Sequence, residues 1–179
     1  MVSDSQHFIE TIRFEFLRTK QLAEKALVQL NDDEFQKQIS PESNSVQIIV
    51  QHISGNMISR WTDFFTSDGE KEWRKRDEEF ETQDISRNEL MKQWEKGWKI
   101  LFASLEMVTT EHLQQDVFIR KEALTVTQAL LRQLSHYSYH VGQIVQLAKK
   151  WRGDKWNSLS IPKNKSGEHQ TGSYKEERK

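Results

Sequence analysis

His136 and His140 stand four residues apart in the run QLSHYSYHVGQI. On a helix this spacing sets two imidazoles about 40° apart and one turn along the axis, where both can bind a single metal ion. Two nitrogens do not complete a site, so a third ligand must come from elsewhere. His52, in VQHISGNMISRW, sits beside an apolar stripe on a helical wheel, and His136 and His140 occupy the edge of their own stripe. If those two helices are neighbours, their edges form one seam holding three histidines, with Asn56, Ser59 and Gln143 nearby. Spacing alone leaves a second reading open, in which each histidine is a hydrogen-bonded or hydrated polar residue at a helix edge. His7, His112 and His169 read as surface residues.

Three neutral imidazoles would leave the charge of a divalent ion uncancelled and some of its coordination positions open. Such an ion makes a nearby water or thiol easier to deprotonate, which suits attack on an electrophile. The chain has no cysteine, which excludes disulfides, thiolate zinc sites, iron–sulfur clusters and a cysteine nucleophile of its own. A thiol would have to come from outside, whereas water suffices for hydrolysis. No carboxylate is placed like the glutamate of an HExxH helix, and this counts against hydrolysis. Asn56, Ser59, Tyr137, Tyr139 and Gln143 are candidates to orient a substrate or an imidazole, and serve equally well as packing or surface residues. Arg60, Arg74, Lys75 and Arg76 could hold carboxylates through charge-assisted bonds. Only Arg60 shares a helix with a proposed ligand, and the other three read more simply as solvated charges in a connection.

Four amphipathic helices are predicted to position these groups. They span about Asp4 to Leu30, Ser45 to Thr66, Arg87 to Val108 and Val126 to Arg152. Each starts at a cap residue with glutamine or glutamate three positions on: Ser3/Gln6, Asn44/Gln47, Ser86/Glu89 and Thr125/Gln128. Asn31-Asp32-Asp33 is read as the end of the first helix, and Asp68-Gly69 as the stop after the second. Val117–Ile119 and Ala123–Val126 could pair as a small hairpin around Arg120-Lys121-Glu122. Stripes on four such helices bury one another in an all-α four-helix bundle, with a long, charged and solvated connection between the second and third helices. The bundle is assigned to residues 1–155, and 156–179 to an irregular extension in which WNSLSIPK docks and the remainder is mobile.

The chain is 179 residues long, enough for one domain with a sizeable core. Its formal net charge is -1, so no global field gathers nucleic acid or anionic lipid, and neither is expected as a partner. No apolar run approaches the roughly 20 residues that cross a bilayer. The start, MVSDSQHFIE, lacks the pattern of a secretory signal, and a cytoplasmic location is expected.

The run HISGNMISRWTDFFTSDGEKEWRKRDEEF, with SHYSYHVGQIVQLAKKW and WNSLSIPK far downstream, resembles the DinB-like superfamily of bacterial helix bundles. In that family three histidines at matching places hold one divalent metal, which implies His52, His136 and His140 as ligands here, with zinc, nickel, iron or manganese as the ion. Some relatives are thiol transferases using bacillithiol, mycothiol or glutathione; others are a thiol-dependent isomerase, proteins classed as metal-dependent hydrolases, and proteins of no known activity. The resemblance therefore implies a metal-dependent S-transferase of bacillithiol type acting on a small molecule. The alternatives are a hydrolase and a non-catalytic dimeric stress-response or interaction protein with a structural or vestigial metal. Trp61, Phe64 and Phe65, read as exposed at the end of the second helix, would supply the surface of a homodimer.

Overall fold

The apolar stripes read from the sequence become the walls of one shared core. In the computed structural model, which describes residues 3–168, 64% of the structure is helix. The helices are α1 (Asp4–Leu27), α2 (Asp32–Gln36), α3 (Val46–Trp61), α4 (Arg87–Glu106) and α5 (Val126–Arg152). An antiparallel hairpin, β1 (Asp116–Ile119) and β2 (Glu122–Thr125), precedes α5 with Val117 opposite Leu124. α3 packs against α4 and α5, and α1 packs against α5.

Capping fixes most of the helix starts. Ser3 accepts a hydrogen bond from the Gln6 amide, while Ser86/Glu89 and Thr125/Gln128 form reciprocal boxes at the heads of α4 and α5. For α3 the cap is Ser45, not Asn44 as predicted, and it accepts from the Ile48 amide. Asn31-Asp32-Asp33 does not simply end the first helix. α1 stops at Leu27, and Asn31 opens α2 through a reciprocal box with Glu34. The second long helix ends at Trp61, before the predicted Thr66, because Thr62 turns extended and Asp63 takes a positive φ of 51°.

Trp61 and Phe64 are core residues, 1% and 6% exposed, and the half-buried Phe65 packs against the same core. The reading of these aromatics as an exposed subunit surface is therefore wrong. Trp61 is drawn inward because its indole N–H donates to Tyr137 Oη at 3.0 Å while its ring packs perpendicular to that of Phe16, with centroids 5.7 Å apart.

Every residue of α3 except Gly55 and Ile58 is buried, polar ones included. A helix buried on all sides needs cover on all sides. α4, α5 and the short α2 supply one part, and the connection 62–86 supplies another. This corrects the expectation of a solvated connection: Arg74 and Glu79 in it are buried, and Gln51 Nε2 donates to the carbonyls of Glu78, Glu79 and Glu81 at 3.0, 3.0 and 3.2 Å. Gln47 Nε2 adds a bond to the Gln83 carbonyl at 3.0 Å. Beyond α5, the partly buried Trp156 and Leu159 pack against the core. The mobile tail predicted from the sequence lies from residue 169 onward outside the described residues. Among the described residues no helix is long and apolar enough to cross a membrane.

Candidate metal centre

The neighbouring of α3 and α5 brings His52 to His136 and His140, a turn apart on α5. Their Nε2 atoms converge: His136 Nε2 is 3.3 Å from His52 Nε2 and 3.1 Å from His140 Nε2. One ligand atom from each of the three lies within 4.8 Å of the others, so the group could hold a metal ion. Tetrahedral coordination at 2.0–2.1 Å separates neighbouring nitrogens by about 3.3 Å, close to these distances. His52 and His140 are 4% and 8% exposed, and His136 is half-buried.

What fixes the rings is the bonding of the opposite nitrogens. Glu79 Oε2 lies 2.9 Å from His52 Nδ1, and Gln143 Oε1 lies 2.8 Å from His140 Nδ1. Burial would raise the Glu79 pKa, but the bonds from Arg74 and His52 outweigh it and hold the carboxyl below its usual range. As a carboxylate it only accepts, so His52 Nδ1 carries the proton and, in the neutral ring, Nε2 presents a bare lone pair. The Gln143 carbonyl does the same for His140. Burial first, and then the adjacent His140 and His52 imidazoles, push the His136 pKa down to about 3. Burial also lowers His140, against the bond to Gln143. A neutral His136 has at most one N–H to offer at Nε2, and two bare acceptors face it. A cation satisfies all three, so the donor set and its tautomers fit a divalent ion.

Glu79, in hydrogen-bond contact with His52, is a residue of this cluster that the sequence reading missed. Arg74 grips it in a two-pronged pair, Nε to Oε1 and Nη2 to Oε2, both at 2.7 Å. Phe80 lays its ring against His52 with centroids 4.6 Å apart. The close approach of Glu79 to α3 requires Gly55, since a Cβ there would sit 2.9 Å from Glu79 Cδ and closer still to Oε1. A signal for this was present: VQIIVQHISGNMISRW carries glutamine, histidine, asparagine and serine on its polar side but a single charge, Arg60. Solvated helix faces hold lysine and glutamate, so a polar face this poor in charge is one that something covers.

The remaining candidates fall in different places. Tyr137 is fully buried, donates to Asn56 Oδ1 at 3.0 Å and accepts from Trp61, and burial raises its pKa; it braces the floor of the site. Ser59 lies away from the histidines, bonding the Gly69 carbonyl and the Lys71 amide at 2.8 and 3.1 Å. Tyr139 is 64% exposed, its ring edge-on to His140. Lys75 pairs with Glu78 at the surface, and Arg74 is committed to Glu79 and Glu70. A cleft of about 230 Å³ opens over His52 and His136, bordered by Asn56, Arg60 and Arg76.

No curated protein and no solved structure matches the chain. The profile of one family, described as a protein of unknown function, does match, over residues 3–165. Because that match spans both the connection that carries Glu79 and the two helices that carry the histidines, the chain belongs to family DUF1572.

Proposed function

We propose that His52, His136 and His140 hold one divalent metal ion in a DinB-like four-helix bundle, and that the chain is a cytoplasmic metalloenzyme transferring a low-molecular-weight thiol of bacillithiol type to an electrophile. The observation that carries this reading is the convergence of three Nε2 atoms, two of them on rings whose Nδ1 faces a side-chain oxygen, Glu79 Oε2 and Gln143 Oε1. An ion at that point supplies Lewis acidity, which lowers the pKa of a thiol or water. The chain's own residues do the positioning. Glu79 and Gln143 set the tautomers, Arg74 keeps Glu79 ionised, and Tyr137 and Asn56 hold the layer beneath.

Transfer is favoured over hydrolysis because Glu79, the carboxylate beside the histidines, spends both oxygens on Arg74 and His52 and is not available as a base. A purely structural ion is disfavoured because His52 and His136 border an open cleft rather than a closed cage. Metal analysis of wild type and His136→Ala after repletion tests the first half. About one ion per chain in wild type, and far less in the variant, is expected; equal contents would remove His136 from the site. Metal-dependent conjugation of a thiol to an electrophilic probe tests the second half, and its absence with metal bound would leave a binding protein.

A further inference from the structure

The cleft over His52 and His136 has a one-sided charge. Arg60 from α3, Arg76 from the connection, Arg120 from the hairpin turn and Arg132 from α5 line it, with the uncharged Asn56 and Gln133 and no carboxylate. Four segments distant in sequence each deliver a guanidinium to one small space, against their mutual repulsion. Glu70, behind this wall, offsets part of that charge. It lies 3.1 Å from Arg60 Nη2, 3.1 Å from Arg120 Nε and 3.3 Å from Arg74 Nη1, one carboxylate among three cations. Arg132 and Arg76 are half-exposed and pair with peripheral carboxylates, Glu122 at 3.5 Å and Asp77 at 3.9 Å, and Arg76 also lies over the Phe80 ring, 5.2 Å from its centroid. Exposed pairs of that kind are worth little and are readily exchanged.

Arg60 adds an independent observation. It is 6% exposed, yet its Nε and Nη1 have no hydrogen-bond partner, and Gln133 Oε1 on the facing helix has none either. Buried guanidinium N–H groups left without acceptors are costly unless something is bound against them. The turn that delivers Arg120 is held in place as well. Arg120 and Lys121 have φ of 57° and 64°, and the Asp68 carboxylate accepts from both of their amides, at 2.9 and 2.6 Å.

We propose that this cleft binds the oxyanion group, carboxylate or phosphate, of a small-molecule substrate. Arg76 and Arg132 make the exchangeable contacts, Arg60 and Arg120, tied to Glu70, form the fixed wall, and the rest of the molecule extends toward His52 and His136. Guanidinium forks match both anions in shape, and a space of about 230 Å³ limits the occupant to a small molecule. The orientation toward the histidines rests on the metal reading; the binding of an oxyanion does not.

Calorimetric titration of the full chain at low salt, using inorganic phosphate in one arm and succinate in the other, tests the assignment. The variants are Arg120→Gln and Arg132→Gln, both at half-exposed side chains and each checked for native far-UV circular dichroism, with Lys92→Gln on the solvent face of α4 as the charge-matched control. Wild type is expected to bind one or both anions at a single site. Each arginine variant should bind about tenfold more weakly or worse, the size of one lost charge-assisted bond, and the control should match wild type. The stronger arm identifies a tetrahedral or a planar head group. No binding by wild type, or equal weakening by Lys92→Gln, would overturn the proposal. Metal content measured on the same samples separates the two readings. Arginine variants that keep wild-type metal locate a binding loss in the cleft, while a metal-free wild type that still binds anion would sink the metal centre alone.

Discussion

Replacing Glu79 with glutamine changes a single atom in the side chain and should damage both the fold and the centre. In the native structure the two carboxylate oxygens accept three bonds: two from Arg74 at 2.7 Å and one from His52 Nδ1 at 2.9 Å. The Arg74 side chain is 2% exposed. Glutamine keeps one acceptor oxygen, so N–H faces N–H at Arg74 whichever way the amide points: at Nε with the nitrogen in the Oε1 place, and at Nη2 together with His52 Nδ1 with it in the Oε2 place. Removing one partner of a buried ion pair costs about 3–5 kcal/mol. Glu70, 3.3 Å from Arg74 Nη1, retains part of the compensation, so the lower end of that range applies. For a chain of this size each kcal/mol moves the melting temperature by about 2–4 °C, so a drop of about 6–12 °C is expected. The second effect is local. With His52 Nδ1 no longer held by a carboxylate, the ring loses some basicity and, in one amide orientation, the acceptor that fixes its tautomer, and metal affinity should fall by about 10- to 100-fold. Thermal unfolding and competitive chelator titration measure the two effects. A Glu79→Gln protein that melts with wild type and holds metal equally would refute the reasoning about Glu79.

Three further outcomes follow from the same contacts. Gly55→Ala places a methyl group against Glu79, which has no room to yield, so metal affinity should drop while far-UV circular dichroism stays helical. Tyr137→Phe leaves the Trp61 N–H and Asn56 Oδ1 without their shared partner; a loss of about 1–3 kcal/mol in urea unfolding is expected, with metal stoichiometry unchanged. The metal-free protein should weaken in mild acid. His136 has a folded pKa of about 3 against 6.5 in the unfolded chain, so below pH 6.5 the unfolded state takes up a proton that the folded state refuses, and stability falls as pH drops through that window. His140 acts in the same direction. Glu79 adds a loss only lower down, below its ordinary 4.5, as its depressed carboxyl is finally protonated. Urea midpoints at about pH 7.5 and 5.5 should differ in wild type and differ less in His136→Asn; a pH-independent wild type would contradict the assignment.

Much of the fold was legible because local signals agreed. Ser86/Glu89 and Thr125/Gln128 cap the helices they were read to cap, and the stripes of α1, α4 and α5 face the core. The histidine seam was legible too, since it needs only helical spacing and the neighbouring of α3 and α5. What escaped was tertiary. Trp61 and Phe64 look exposed at a helix end, yet Trp61 meets Phe16 of α1 and Tyr137 of α5, and Phe64 stacks on Trp61. Arg74 and Glu79 look like two more charges in DGEKEWRKRDEEF, and only the three-dimensional pairing of each with the other lets both be buried. Arg120 and Arg132 carried no sequence signal, because a cleft assembled from four separate segments has no period or spacing to read. The short α2 was missed for a different reason: Asn31-Asp32-Asp33 followed by Glu34 is a helix start as much as a helix stop, and α2 is too brief for periodicity to decide between them.

The most direct test of the account is X-ray absorption at the metal edge of zinc-repleted protein, recorded alongside the metal-to-chain ratio. The account predicts one zinc per chain with three imidazole nitrogens at about 2.0–2.1 Å, and loss of an imidazole or of the ion in His136→Ala. A wild-type protein that retains no stoichiometric metal, or an imidazole count that survives the substitution unchanged, would contradict it.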